Sequence, residues 1–158
     1  MKPRLDVTRV SPKALQAMLG LQKTVNSSGL ERPLLELVKM RASQINGCAY
    51  CLDMHSKDAR AAGETEQRLY LLDAWRETSL YSERERAALE WTEALTRISE
   101  GHVPDAVYDA VREHFSEEEL VNLALAVVAI NGWNRLSIAF RAEAGKYRPG
   151  MHDSAKAA

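Results

Sequence analysis

The sequence predicts an all-α protein, and three observations carry that reading. Apolar residues recur at helical spacing along most of the chain. Ser82 with Glu85, and Ser116 with Glu119, each have the spacing of a capping box. No stretch shows the period-2 alternation between turn residues that marks a β-hairpin.

The elements follow in order. Ser11-Pro12 offers an N-cap followed by proline at the first helical position, and this helix ends near Ser27-Ser28-Gly29. Pro33 opens a second helix, PLLELVKMRASQI, which Asn46-Gly47 stops. A third runs from about Cys48 to Gly63, and a fourth covers EQRLYLLDAWRE. Helices start after Ser82 and Ser116, with a short one opened by Pro104 between them over DAVYDAVREHF. The helix after Ser116 is expected to bend or break near Asn131-Gly132 and to reach about Gly145. Its segment LALAVVAI is apolar all round, as in a central helix, a subunit contact or both. Residues 1–145 read as one domain and residues 146–158 as a tail.

With 158 residues, 46% of them hydrophobic, the chain can bury a real core. Its formal charge of -1, with acids and bases interspersed, gives no sustained basic face for nucleic acid or an anionic membrane. The opening MKPRLDVTRV lacks the apolar stretch of a signal peptide. The apolar run Leu123 to Ile130 is far shorter than the ~20 residues that span a bilayer, so a cytoplasmic protein without membrane contact is expected.

The stretch NGCAYCLDMHSK holds both cysteines of the chain. In a reducing compartment a CxxC pair points to catalysis or metal binding before a structural bridge. If a helix starts near Cys48, then Cys48 and Cys51 are i,i+3 and Cys51 and His55 are i,i+4, on one face. The first helical turn favours a negative sulfur. His55, one turn from Cys51, is placed to take its proton. Glu36 is the acid best placed to orient His55. It lies eleven residues before Gly47, about 16 Å, and His55 eight after, about 12 Å, on helices that would pack antiparallel. At this level the pair reads as a peroxide-reactive dithiol, a non-enzymatic redox sensor, part of a zinc site with His55 and Glu36, or two inert buried thiols.

The spacing Glu36-x11-Cys48-x2-Cys51-x3-His55, with SQINGCAYC around it and the later ERAALEWTEALT and INGWNR, closely resembles the AhpD-like alkylhydroperoxidases of the carboxymuconolactone decarboxylase superfamily. The resemblance extends from about residue 15 to 145. It implies an AhpD-like helical fold, assembled as homo-trimers or hexamers, and a peroxidase that needs neither cofactor nor metal. By position it makes Cys51 the peroxidatic thiolate, Cys48 the resolving thiol, and His55 with Glu36 a proton relay. The implied partners are a peroxide and a dithiol reductant such as a lipoyl protein, thioredoxin or a small thiol. The sequence departs from the best-studied members at Tyr50, where they carry a second histidine. The superfamily's decarboxylases lack the cysteine pair.

The remaining candidates read as structural. Tyr50 is expected to pack, and His102, His114 and His152 to be solvated or to serve helix ends. SERERAALE reads as a solvated helix face with ion pairs. Asn131, Trp133 and Arg135 either complete a pocket over the cysteines or staple a subunit interface, and the interface is the preferred reading.

Overall fold

The computed structural model describes residues 2–151; His152 lies outside them. It is helical, with no strand among the described residues: α1 (Val7–Val10), α2 (Pro12–Asn26), α3 (Arg32–Asn46), α4 (Ala49–Ala61), α5 (Glu66–Leu71), a 3₁₀ segment (Leu72–Glu77), α6 (Glu83–Thr96), α7 (Ile98–Gly101), α8 (Asp105–Arg112) and α9 (Glu117–Phe140). Both predicted capping boxes form, with Ser82 and Ser116 accepting from the N–H groups of Glu85 and Glu119 and each glutamate reaching back.

The core lies between α3, α6 and α9, where Val38, Ala88, Leu123 and Val127 are among the buried contacts. A second cluster joins α3 and α4 to Leu72, Trp75 and Tyr81. The buried Glu93 carboxylate stitches these elements together, accepting from Arg41 Nε, Trp75 Nε1 and Arg76 Nη1 at 2.7–2.8 Å. The SERERAALE helix is half core and half ion pairs. Ala87, Ala88 and Leu89 are buried, while Arg84 bridges Glu31 and Glu119 and Glu85 meets Arg68.

Three expectations are corrected. First, α9 runs unbroken through Asn131-Gly132 and stops at Phe140, capped by Arg141 in the left-handed conformation at φ 57°. At Gly132 the helix packs on α2, where an added Cβ would stand 2.9 Å from the flexible end of Met18. Second, the fourth helix is interrupted at Ala74 (φ -108°, ψ 28°), and its second half is 3₁₀. Third, among the described residues of the expected tail, Tyr147 is held against the domain, as is Gly145 just before it. Tyr147 is buried, its hydroxyl donates to Asp58, its carbonyl accepts from Lys57 Nζ, and Gly145 N–H donates to Asp53.

By length and composition α9 is long and apolar enough to cross a membrane. Here it is the central helix, packed on α2, α3, α4, α6 and α8, with Asn131 and Asn134 buried and hydrogen-bonded.

Candidate redox site

The turn between α3 and α4 sets the position of the sulfurs. Gly47 takes φ 65°, ψ 34°, a left-handed conformation in which a Cβ is disfavoured. Cys48 N–H then bonds to Ser43 O and Gly47 N–H to Gln44 O, the two bonds of a Schellman stop. The chain leaves that stop with Cys48 as the N-cap of α4 and Cys51 in its first turn, so the CxxC opens a helix as expected.

Side chains from α9 hold this turn. Asn46 Nδ2 donates to Asn131 Oδ1 at 3.0 Å and to Asn134 Oδ1 at 2.8 Å, and Asn134 Nδ2 donates to Ser43 Oγ at 3.0 Å. Asn131 Nδ2 in turn donates to Thr96 Oγ1 and Val127 O. Arg135 donates back to Asn131, Trp133 Nε1 donates to Gln22, and Trp133 packs with Tyr50 against the cysteines and Ile130. The polar residues read as an interface staple thus have partners within the chain. Across the turn the buried Asn131 and Asn134 and the half-buried Asn46 satisfy one another.

The sulfurs are free thiols, each 1% exposed, with Sγ atoms 2.8 Å apart, beyond the ~2.05 Å of a disulfide. Cys51 Sγ also lies 3.9 Å from Ser137 Oγ. The pair ionises once readily and a second time with difficulty. Cys48 falls to about 7 because the Cys51 thiol donates to it, against the effect of burial. The Cys51 backbone N–H, Asn134 and Ser137 also lower it. Cys51 is pushed up, first by that same donated hydrogen bond, then by burial and the charge on Cys48. The two sulfurs therefore share one negative charge, held by the hydrogen bond between them. Burial, then the acidic groups of Cys51, Asp53 and Cys48, raise the Tyr50 phenol.

One turn further along α4, His55 is buried, and its Nδ1 lies 2.8 Å from Glu36 Oε2 on α3. The hairpin count that singled out Glu36 therefore matches the structure. Glu36 also accepts from Lys39 Nζ at 3.0 Å through its other oxygen. Burial alone would raise the Glu36 carboxyl. The hydrogen bond and charge of His55, and then Lys39, outweigh it and hold the group at about 2. An ionised carboxylate can only accept, so the hydrogen between the two is on Nδ1, and Nε2 is the basic nitrogen of the ring.

Among the described residues, Glu36, His55 and Asp58 have ligand atoms within 4.8 Å of one another. Neither cysteine belongs to that group, so the Cys₂-His-Glu zinc set is not assembled. Lys39 already supplies a cation to Glu36. The arrangement is two adjoining units on one helix: a dithiol that readily carries one negative charge, and an imidazole oriented by a carboxylate. Sequence reasoning missed Asn134 and Ser137, although with Asn131 they recur every third residue of α9, along one face. Lys39, which pairs with Glu36, is buried with it.

Known proteins share the sequence pattern and the fold. The sequence model of the carboxymuconolactone decarboxylase family matches residues 12–94. The uncharacterized protein YdfG of Bacillus subtilis is 48% identical over 139 residues, covering 88% of this chain and 95% of YdfG. The crystal structure of ATU0492 from Agrobacterium tumefaciens, a protein of unknown function for which a role as the antioxidant defence protein AhpD has been suggested, superposes with a TM-score of 0.90. It is 44% identical, over 92% of this chain and 100% of that one. A peroxidase-related protein from Ralstonia eutropha with an alkylhydroperoxidase AhpD core shares the fold at a TM-score of 0.78 and 20% identity, over 89% and 75% of the two chains.

Proposed function

The chain belongs to the carboxymuconolactone decarboxylase family, in its AhpD-like branch, and on that premise we propose that it is a thiol-dependent peroxidase. The observation that carries the proposal is the adjacency of a dithiol with one readily lost proton and the Glu36-oriented imidazole of His55.

The cycle balances as follows. His55 Nε2 draws the proton of Cys51, whose sulfur attacks the terminal oxygen of a hydroperoxide. The O–O bond breaks, Cys51 becomes a sulfenic acid, and the alkoxide or hydroxide leaves with the proton returned from His55. Cys48, whose proton is lost near neutrality, attacks the sulfenic sulfur as thiolate; the S–O bond breaks and the departing hydroxide takes up the proton Cys48 gave up, leaving water and a Cys48–Cys51 disulfide before further oxidation. A dithiol reductant restores both thiols by exchange and becomes a disulfide itself. We assign the substrate to organic hydroperoxides or hydrogen peroxide, the reductant to a lipoyl protein, thioredoxin or small thiol, the assembly to a homo-trimer or hexamer, and the setting to a reducing cytosol.

Native and intact mass spectrometry after one equivalent of peroxide tests this. Loss of two hydrogens per chain, located at Cys48–Cys51 and reversed by a dithiol through repeated cycles, is the expected result. A chain that oxidises once and is not recycled by any dithiol would be a redox sensor, and one whose mass is unchanged would not be a peroxidase.

A further inference from the structure

Lys39 has no part in the cycle above, yet it is one of the most costly side chains in the protein to bury. Its residue exposure is 7%, and its ammonium donates to Glu36 Oε1 at 3.0 Å, across the carboxylate from His55. Burying an ammonium costs several kcal/mol before its partner repays it, and an apolar side chain of similar length would fill the space without that cost. The other buried cation of α3, Arg41, is engaged by Glu93 and Asp73. Around the imidazole stand Glu36 and Lys39 from α3, and Cys51 and the half-buried Asp58 from α4; the Asp58 carboxylate accepts from the Tyr147 hydroxyl.

Counting charge across this group shows what the ammonium does. With Lys39 present, its charge cancels that of Glu36, and among the described residues the half-buried Asp58 is the one carboxylate beside the ring without a cation. With Lys39 absent, two carboxylates would face the ring, and the cheapest compensation is a second proton on it. An imidazolium has both nitrogens protonated and accepts nothing.

We propose that Lys39 is a positioning residue of the relay: by holding Glu36 Oε1 and neutralising its charge, it keeps His55 as the Nδ1–H tautomer with Nε2 free to accept a proton. The inference rests on the proposed relay, but its principal test is read without peroxide or turnover. Full-length protein labelled with ¹⁵N at histidine is compared as wild type, Lys39→Met and Lys39→Arg, with a His55→Gln sample identifying the ring signals of His55.

Wild type and Lys39→Arg are expected to show one protonated and one unprotonated ring nitrogen at neutral pH. Lys39→Met is expected to show both protonated. Should Lys39→Met fail to fold, Lys39→Gln, which can still donate to Glu36 but carries no charge, has the same expectation. An unchanged His55 spectrum in the neutral variants, or the same change in Lys39→Arg, overturns the assignment. Failure of peroxide to form the disulfide would defeat the peroxidase reading and leave the ring spectra as described.

Discussion

Glu36 Oε2 and His55 Nδ1 meet at 2.8 Å, though nineteen residues separate them, because the Gly47 turn folds α3 back along α4. The carboxyl sits at about 2, against an ordinary value near 4.3. A depressed folded-state value stabilises the fold above the unfolded value and loses that contribution as pH falls through the folded one. The contribution is roughly 3 kcal/mol at neutral pH, present above about pH 5 and gone near pH 2. Urea melts of wild type and Glu36→Gln across this window should show a gap between the two proteins that narrows steadily as pH falls. A constant gap would mean that Glu36 is not ionised in the fold.

The two sulfurs should titrate unequally. Ultraviolet thiolate absorbance is expected to show one equivalent rising around pH 7, assigned to the Cys48–Cys51 pair, and no second equivalent in the ordinary cysteine range. Because the Cys51 thiol is the main support of the charge on Cys48, Cys51→Ala should move the remaining inflection upward. Two independent inflections near pH 8.5 would refute the coupling.

The division of labour between the cysteines separates in single variants. Cys51→Ser is expected to abolish peroxide turnover. Cys48→Ser should consume one equivalent and stop, holding a sulfenic acid on Cys51 that a dimedone adduct reveals by peptide mapping. An adduct on Cys48 in Cys51→Ser, with turnover retained, would reverse the roles.

Asn134 is fully buried and holds Asn46 and Ser43 together. Asn134→Ala leaves both without it, at a cost of about 1–3 kcal/mol, seen as a fall in Tm of several degrees. It also removes a group that lowers both thiols, so the first thiolate inflection should rise.

Gly132 offers a contrasting case. An added Cβ meets only the flexible end of Met18, while alanine gains roughly 1 kcal/mol of helix propensity over glycine. Gly132→Ala should therefore be neutral to within about 1 kcal/mol. Loss of more than that would mean the α2–α9 contact cannot yield.

Where the sequence was legible, the information was local. Ser82 and Ser116 each need only a partner three residues away, and the reach from Glu36 to His55 needs only a tight turn and the helical rise. Where it misled, the deciding partner was distant. Gly132 looked like a break because nothing near it in sequence mentions Met18. The segment after Gly145 looked loose because its anchors, Asp53, Lys57 and Asp58, lie some ninety residues earlier.

Tyr147 has a mechanical consequence. Its hydroxyl and carbonyl, with the N–H of Gly145, grip Asp58, Lys57 and Asp53 along the outer face of the helix that carries Cys51 and His55. A pull on the carboxyl end of the chain is thus delivered to that helix before it reaches α9. Anything large attached downstream has a direct lever on the sulfurs, and Tyr147→Phe, which releases the grip on Asp58 alone, would slacken it.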